Sequence, residues 1–443
     1  MDQYRLGSHV ASQNKRSNEN STVRSDGEMK TEGSLQSFMR AFFQIATLCL
    51  LAACSHAQSV SWVGTWSTAP MRGNADAHLA GMTLRQIVCT SAAGNQLRIQ
   101  ISNQFGDHPL HIEDAHIALS GSAASIVSGS DHPLRFSGQS SVVIAPGSFV
   151  SSDAVFMKIP ALTHLAISFY LASQAGSITF HSSAHQTSYA APGDVSGQAD
   201  LHAAKQVDGV YFLTHVDIRG SHLRGAIVTL GASITEGYAA SDNIANRWTD
   251  ILAQRLTQAG VNIGVLNAGI SGNRLLTEGA GPDAVDRFER DVLDQPGVRW
   301  VIFSDDPIND LGSTRPAPSA AALISATHQL IVKAHSRHIQ FFCSTLTPYQ
   351  GANYWRAEDE ATRELFNVYV RNSKNGCDGV IDQDAATHDP ARPTWYLPAY
   401  DSGDHLHPND AGHKAIASAV NLSLFTDSPA HRLAQKKVRV EGH

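Results

Sequence analysis

Two patterns of hydrophobic and polar residues divide the chain. Between residues 59 and 222, apolar and polar residues alternate in short segments, such as LRIQISNQFG and LAISFYLAS, which are separated by Gly, Pro, Asn and Ser. Alternation with a period of two, interrupted by frequent turn residues, is typical of antiparallel strands. Because no helical period is sustained here, we predict an antiparallel β-sandwich of jelly-roll-like form.

After residue 224 the pattern changes. Continuous apolar segments, AIVTLG, IGVLNAG, WVIFS, IQFFCST and GVID, alternate with longer segments of helical period. This alternation is typical of βαβ units, in which a parallel sheet has helices on both faces. We therefore predict four parts: a signal region (1–57), a β-sandwich domain (58–222), an α/β domain (223–428) and a tail (429–443).

The signal region has the features of a secretory signal. An apolar run at 41–53 follows a single Arg and is too short to span a bilayer comfortably. We interpret the residues before Met29 or Met39 as an over-extended reading frame. LAAC resembles a bacterial lipobox that would leave a lipid anchor on Cys54, whereas SHA before Gln58 fits ordinary cleavage. Either route predicts a secreted, periplasmic or cell-envelope protein.

Composition narrows the functional classes. The chain has 443 residues, 42% hydrophobic and 16% charged, and fits a packed globular protein. Its net charge is −7 and its one basic run lies in the tail, so we predict no nucleic-acid partner. Outside the signal region the cysteines are Cys89, Cys343 and Cys377. This odd, sparse set predicts small buried hydrophobic side chains rather than a disulfide framework.

Candidate chemistry follows the strands of the α/β domain. Ligands of parallel sheets bind at the carboxyl ends of the strands. Ser233 follows the first strand, in GASIT, while SGN and PIND follow the second and third. Near the end of the chain, DHLH places Asp404 three residues before His407, and we predict that Pro408 begins a helix there. A carboxylate that orients an imidazole forms half of a nucleophile-activating pair.

Taken in order, GASIT, SGN, PIND and DHLH resemble the four sequence blocks of the SGNH or GDSL hydrolases. WVGTWSTAP and LRIQISNQFG also resemble the β-rich domain of a secreted bacterial branch of that family. The resemblance implies a flavodoxin-like three-layer domain and a serine esterase. It implies Ser233 as nucleophile, His407 as general base and acid, and Asp404 as the orienting carboxylate. The oxyanion hole would comprise the N–H groups of Ser233 and Gly272 and the side-chain amide of Asn309.

Two positions depart from the family pattern. The residue before the nucleophile is Ala232 instead of Asp, and Pro307 replaces a Gly two residues before Asn309. The missing Asp normally braces the nucleophile turn. Our hypothesis is that Asp305 or Asp306 supplies this brace from the next strand.

The sequence supports one leading function and two rivals. The leading prediction is an esterase that removes short acyl groups, acetyl above all, from carbohydrate or small-molecule esters without cofactor or metal. The first rival is a catalytically impaired carbohydrate-binding or envelope protein on the same scaffold. A metal site built from His405, His407 and His413 is weakly supported, since residues six apart on a helix do not share a face. We interpret His181 and His185 as residues of a strand edge.

Overall fold

The computed structural model describes residues 61–73 and 78–426, which belong to one compact unit. The predicted signal region, the candidate anchor at Cys54 and the tail lie outside the described residues. Within the described ranges, no helix combines the length and the apolar character that crossing a membrane requires.

The first part of the chain is a β-sandwich, as predicted. Its larger sheet has the strand order β14-β13-β3-β11-β6-β7, and a second sheet has the order β1-β16-β4-β10, with β9 also paired to β4. Smaller sheets are β15-β12-β2 and β5-β8. The strands are β1 (Val63–Ser67), β2 (Met71–Gly73), β3 (Met82–Cys89), β4 (Gly94–Ser102), β5 (Leu110–Ile112), β6 (Asp114–Leu119), β7 (His132–Pro133), β8 (Val142–Ile144), β9 (Phe149–Ser151), β10 (Val155–Ile159), β11 (His164–Leu171), β12 (Ile178–His181), β13 (Ser188–Pro192), β14 (Lys205–Val207), β15 (Val210–Tyr211) and β16 (Leu213–Arg219).

The sequence alternation explains how the sandwich packs. In β4, Leu97, Ile99 and Ile101 are completely buried, whereas the intervening Arg98 and Gln100 are partly exposed. Successive side chains of a strand point to opposite faces, so one face of β4 enters the core between the sheets.

The second part is a parallel α/β sheet. Its strands are β17 (Ala226–Gly231), β18 (Gly264–Gly269), β19 (Val298–Phe303), β20 (Gln340–Ser344) and β21 (Gly379–Ile381). Their order is β18-β17-β19-β20-β21, the flavodoxin-like order 2-1-3-4-5. Strand order reverses at β17, and ligands of such sheets bind outside the carboxyl ends at this switch point. A small antiparallel pair follows, β22 (His388–Asp389) and β23 (Arg392–Tyr396).

Helices surround the parallel sheet in two groups. The described helices are α1 (Ser233–Glu236), α2 (Trp248–Gln258), α3 (Ala284–Phe288), α4 (Asp306–Ser313), α5 (Ala320–Ser336), α6 (Ala357–Arg371), α7 (Gln383–Thr387), α8 (Asp410–Ala419) and α9 (Ser423–Thr426). A π-helical turn, Glu289–Leu293, continues α3. In one group, α8 packs on α2 and α7. In the other group, α6 packs on α4 and α5, and α3 contacts α5.

A disulfide joins Cys343 to Cys377, with Cα atoms 5.9 Å apart, so the prediction of unpaired cysteines is wrong for this pair. Cys343 lies in β20 and Cys377 comes just before β21, its partner strand. Strand pairing brings the two together across 34 residues of sequence, which a count of cysteines does not reveal. Cys89 is unpaired, and burial raises the pKa of its thiol to about 12.

The sandwich covers the outer edge of the parallel sheet at β18. The Ser91 hydroxyl accepts a hydrogen bond from Val265 N–H (2.8 Å), and Asn262 exchanges two hydrogen bonds with the backbone of Ala93. Val63 of the sandwich is part of the apolar core of the α/β region. Covering an edge strand removes a site of non-specific pairing. The shared hydrogen bonds and apolar contacts also stabilise both regions.

We expect residues 225–425 alone to be poorly soluble, because removal of the sandwich exposes the β18 edge and the apolar contacts of Val63. Sedimentation and gel filtration of this fragment, beside protein from Ser59 onward, measure the effect. Soluble fragment with full activity would contradict the expectation.

Candidate active site

Ser233 begins the four-residue helix α1 directly after β17 and is 8% exposed. Gly231, the last residue of β17, has no room for a side chain. A Cβ atom there would lie 2.1 Å from Thr235 Oγ1 and 2.4 Å from Asp305 Oδ1. Gly237 ends the helix with φ 118°, a conformation that residues with a Cβ rarely adopt. Glycines at both ends thus allow the sharp turn that presents Ser233 at the carboxyl edge of the sheet.

His407 connects Ser233 to Asp404. Its Nε2 lies 2.8 Å from Ser233 Oγ, and its Nδ1 lies 2.6 Å from Asp404 Oδ2. The other carboxylate oxygen of Asp404 accepts hydrogen bonds from the backbone N–H groups of Leu406 and His407, both at 2.9 Å. The structure therefore brings together the three side chains that the sequence blocks single out.

Burial acts to raise the pKa of the Asp404 carboxyl. The hydrogen bonds from the His407 ring and from the backbone of His407 and Leu406 outweigh burial and hold this pKa well below its usual range. Asp404 is therefore ionised at neutral pH and can stabilise a positive charge on His407.

A second Asp–His pair stabilises the same loop. Asp401 Oδ2 lies 2.5 Å from Nδ1 of His405, whose ring packs edge-on against Trp395. The helix after the loop begins at Asp410, and its cap is Asn409, whose side chain accepts hydrogen bonds from the first turn. The prediction that Pro408 begins the helix is wrong, because a side-chain oxygen satisfies free N–H groups that Pro cannot.

The predicted oxyanion donors lie on neighbouring loops. Asn309 Nδ2 donates to Asn273 O (2.9 Å), and Tyr354 donates its hydroxyl proton to Asn309 Oδ1 (3.1 Å). These two contacts fix which end of the amide is the donor. Gly272 has φ 78°, which favours glycine. Neither Ser233 N–H nor Gly272 N–H has a hydrogen-bond partner within the described part of the chain.

Asp305 contacts the nucleophile turn where Ala232 cannot. Its Oδ1 accepts from Ala232 N–H (3.1 Å) and from the Thr235 hydroxyl (2.5 Å), and its Oδ2 accepts from Ile234 N–H (2.8 Å). The structure thus favours Asp305 over Asp306 as the brace. Pro307, the other departure, lies in the first turn of α4, where a missing N–H costs no helical hydrogen bond.

A buried cation lies beneath the turn. Arg287 donates to Gly231 O (3.0 Å) and to Asn273 Oδ1 (2.9 Å), and its guanidinium lies 3.5 Å from Asp306 Oδ1. Burial raises the pKa of Asp306 to about 7; Arg287 opposes this, and the neighbouring Asp305 and Asp310 charges add to it. Arg287 therefore connects the nucleophile turn to the loop that contains Gly272.

An aromatic side chain packs against the imidazole of His407. The ring centroid of Tyr238 lies 4.1 Å from that of His407, and Tyr238 O lies 3.1 Å from His413 Nε2. Burial lowers the pKa of His413 to about 4, so this histidine is neutral and donates its N–H to the carbonyl. Nothing in the hydrophobic pattern indicated these contacts of Tyr238 or those of Tyr354.

The three histidines of the rival metal site each contact a different partner. His405, His407 and His413 bind Asp401, Asp404 and Tyr238 respectively. Among residues 61–73 and 78–426, no group of three or more His, Cys, Asp or Glu residues could hold a metal ion. His181 is only 4% exposed and faces Glu236, so its interpretation as a strand-edge residue is wrong.

A parallel sheet of this order, with serine, histidine and aspartate in contact at its carboxyl edge, is typical of hydrolases with a serine nucleophile. Residues 229–415 match the sequence profile of the GDSL-like lipase/acylhydrolase family. This part of the chain is therefore an SGNH/GDSL-type hydrolase domain, as the sequence blocks predicted, and the protein is a carboxylic ester hydrolase. None of the curated proteins compared matches the chain.

Several solved structures are similar to part of the chain. A lipase/acylhydrolase from Enterococcus faecalis is 19% identical over 45% of this chain and 95% of its own, with a TM-score of 0.36. An acetylxylan esterase from Geobacillus stearothermophilus is 20% identical over 46% and 94%, with a TM-score of 0.35. A GDSL-like lipase from Bacteroides thetaiotaomicron is 17% identical over 45% and 88%, also at 0.35.

Asp305→Ala should lower turnover of an activated acetate ester on the order of 100-fold, because the nucleophile turn loses three hydrogen bonds and a small misplacement is costly. Ala232→Asp should give no gain, since it buries a second carboxylate beside Asp305. The turnover number and the melting temperature are measured together.

Asp382→Ala is the matched control. It removes a carboxylate that accepts hydrogen bonds from Thr345 and Ala385, away from Ser233. It should lower stability and leave turnover nearly unchanged. A large gain from Ala232→Asp would show that nothing braces the wild-type turn.

Proposed function

We propose that the protein is a serine esterase that removes short acyl groups, acetyl above all, from carbohydrate or small-molecule esters through an acyl-enzyme. The observation that supports this most strongly is the continuous contact from Ser233 Oγ through the His407 ring to Asp404. A hydroxyl needs an adjacent base to become a nucleophile, and the base needs a fixed tautomer.

In the acylation step, Ser233 Oγ attacks the ester carbonyl carbon while His407 Nε2 takes the hydroxyl proton. Asp404 stabilises the resulting imidazolium. The carbonyl oxygen becomes an oxyanion, which accepts hydrogen bonds from Ser233 N–H, Gly272 N–H and Asn309 Nδ2. When the tetrahedral intermediate collapses, the C–O bond to the alcohol breaks, and the leaving oxygen takes the proton from His407.

Deacylation repeats these steps with a water molecule as the nucleophile. His407 removes a proton from a water molecule, whose oxygen attacks the acyl carbon. The bond to Ser233 Oγ then breaks, and His407 returns the proton to that oxygen. The products are the free carboxylic acid and the regenerated serine, so no cofactor or metal enters the balance.

The surroundings of Ser233 support a small acyl group. Ser233 and His407 are each only 8% exposed, and the ring of Tyr238 lies against the imidazole of His407. Tyr354 packs in the same region through its hydrogen bond to Asn309. We expect these surroundings to favour a short acyl chain over a long one.

The disulfide supports an extracytoplasmic location. Stable disulfides form mostly in oxidising compartments, and Cys343–Cys377 is buried in the α/β region. With the predicted signal region, this favours secretion, or retention in the periplasm or cell envelope with Cys54 as a candidate anchor. We also propose the sandwich and the α/β region as two domains, with the boundary between Ile218 and Gly225.

The rival function is an impaired protein that binds carbohydrate without hydrolysing esters. Its basis is the pair of departures at Ala232 and Pro307. Asp305 supports the nucleophile turn and Pro307 fits its helix, so neither departure removes a part of the proposed machinery. We therefore favour the enzyme.

The purified protein should hydrolyse p-nitrophenyl acetate, and the rate should fall as the acyl chain lengthens from acetate through butyrate to octanoate. Ser233→Ala should abolish this hydrolysis. Thr229→Ala, at a buried hydroxyl of β17 outside the site, is the control and should retain it. If the wild type hydrolyses the ester no faster than Ser233→Ala, the result would support the binding protein instead.

Hydrolysis should rise with pH on the acid side, because only neutral His407 accepts the Ser233 proton. The lowered pKa of Asp404 keeps that carboxylate ionised throughout, so it does not cause the acid limb. Asp404→Asn should fold normally and lose turnover on the order of 10,000-fold, because the imidazole adopts the wrong tautomer. His407→Ala should be nearly inactive.

Asp306→Asn tests whether the acid limb comes from the carboxyl of Asp306 and not from the base. The pKa of Asp306 is raised to about 7, so its own ionisation changes near neutral pH. If His407 is the base, Asp306→Asn keeps the acid limb in place. A flat wild-type profile, or near-normal turnover in His407→Ala, would remove His407 from the proposed mechanism.

A further inference from the structure

One side chain of the β-sandwich reaches the segment that contains the nucleophile. His181, the last residue of β12, is almost completely buried. Its Nδ1 lies 2.8 Å from Ala69 O, an atom of the sandwich itself. Its Nε2 lies 3.1 Å from Glu236 Oε1, at the end of helix α1, which is an ion-pair distance although the angle is outside hydrogen-bond geometry. The imidazole is thus fixed on one side by the sandwich and contacts the nucleophile helix with the other.

Glu236 connects two parts of the proposed machinery. It belongs to the same four-residue helix as Ser233 and is 1% exposed. Its second carboxylate oxygen accepts a hydrogen bond from the hydroxyl of Ser271, which precedes Gly272. A single buried carboxylate therefore joins the nucleophile helix to the oxyanion loop.

The charge of Glu236 depends on its partners. Burial acts to raise the pKa of its carboxyl, but the contacts with His181 and Ser271 outweigh burial and lower the pKa. Without His181, an ionised carboxylate would be left in the interior with its main partner missing. Because an unpaired buried charge is costly, the side chain and its helix would shift.

The sandwich fixes the next loop as well. Asn243 N–H donates to His185 O (3.0 Å), and Asn243 Oδ1 accepts from Thr187 N–H (2.8 Å). His185 Nδ1 lies 3.0 Å from Asp242 Oδ1. This loop follows Tyr238, which packs against His407. Residues 181–187 thus contact the chain that follows Ser233 at two places, the end of helix α1 and the loop at 242–243.

We propose that His181 is a positioning residue of the ester hydrolysis: through Glu236 it holds the helix of Ser233 and the loop of Gly272 in their relative positions. The inference rests on the proposed function. It assigns the sandwich a direct part in building the catalytic centre, in addition to covering the sheet edge.

The test compares variants of the mature full-length protein with p-nitrophenyl acetate. His181→Ala should lower kcat roughly 10-fold to 100-fold and change KM less than about twofold, since the alignment of the nucleophile is affected and not substrate binding. His181→Gln, which keeps a donor facing Glu236, should recover part of the loss. Glu236→Gln should lower kcat similarly.

A double-mutant cycle identifies the route. If His181 acts through Glu236, then His181→Ala should cost much less in the Glu236→Gln background than in wild type. Additive losses would overturn the proposal. Should His181→Ala fail to fold, the His181→Gln and Glu236→Gln variants and their combination provide the same cycle.

A matched control separates positioning from loss of stability. His116 is another sandwich histidine with an oxygen acceptor at each ring nitrogen, Asp114 at 3.0 Å and Asp131 at 2.8 Å, and both lie within the sandwich. His116→Ala should lower the melting temperature without changing kcat. A kcat loss in His181→Ala no larger than that in His116→Ala would overturn the proposal.

Covalent labelling with a fluorophosphonate gives a second readout. Misalignment lowers the rate constant for labelling Ser233 while every molecule is labelled in the end, whereas partial unfolding lowers the final amplitude. We expect the lower rate constant for His181→Ala. An unchanged rate constant would overturn the inference alone. Hydrolysis that survives Ser233→Ala would instead overturn the proposed function.

Discussion

The position of Ser233 depends on side chains outside its own helix. A helix of four residues has almost no stability of its own, because forming the first turn fixes several residues for few hydrogen bonds. Helix α1 is instead fixed by Asp305 at its beginning, by His181 and Ser271 through Glu236 at its end, and by Arg287 through Gly231 O. The geometry of Ser233 therefore depends on several separate elements and not only on the strand that precedes it.

This dependence explains why so much charge is buried near the site. Asp305, Asp306 and Glu236 are almost completely buried, and Arg287 is the cation that directly contacts Asp306. Burying several carboxylates is unfavourable unless each accepts hydrogen bonds. Asp305 does so from the backbone of the nucleophile turn, whereas Asp306 has an oxygen without a partner among the described residues and a pKa raised to about 7. Of these two adjacent carboxylates, Asp305 supports the turn and accepts hydrogen bonds at both of its oxygens.

Much of the fold could be predicted because its signals are local. The alternation in β4 and the continuous apolar run of β17 each reflect burial on one or both faces of a strand. The candidate site could be predicted from four short motifs, since each follows a strand or a loop at the same edge. The resemblance of GASIT to the family motif did not decide between Asp305 and Asp306 as the brace. That distinction depends on which carboxylate points towards Ala232 N–H.

The sequence patterns could not predict contacts between residues that are far apart in the chain. The Cys343–Cys377 disulfide depends on which strand lies beside β20, and the contact of His181 depends on how the sandwich packs against helix α1. The cap at Asn409 was missed because Pro and Asn both favour helix beginnings and only the backbone geometry separates them. In each case the deciding partner lies on another element or in the exact backbone path.

The loss of Asp before the nucleophile and the presence of the sandwich have one physical consequence in common. Without a carboxylate at position 232, the turn has no brace within its own segment and must take its support from neighbours. Asp305 supplies contacts from the next strand, and the sandwich supplies His181 and the backbone contacts of 185–187. Supports from different elements hold a turn only while those elements keep their relative positions. We therefore expect the hydrogen bonds between the sandwich and the edge of the sheet at β18 to help align Ser233, in addition to their effect on stability.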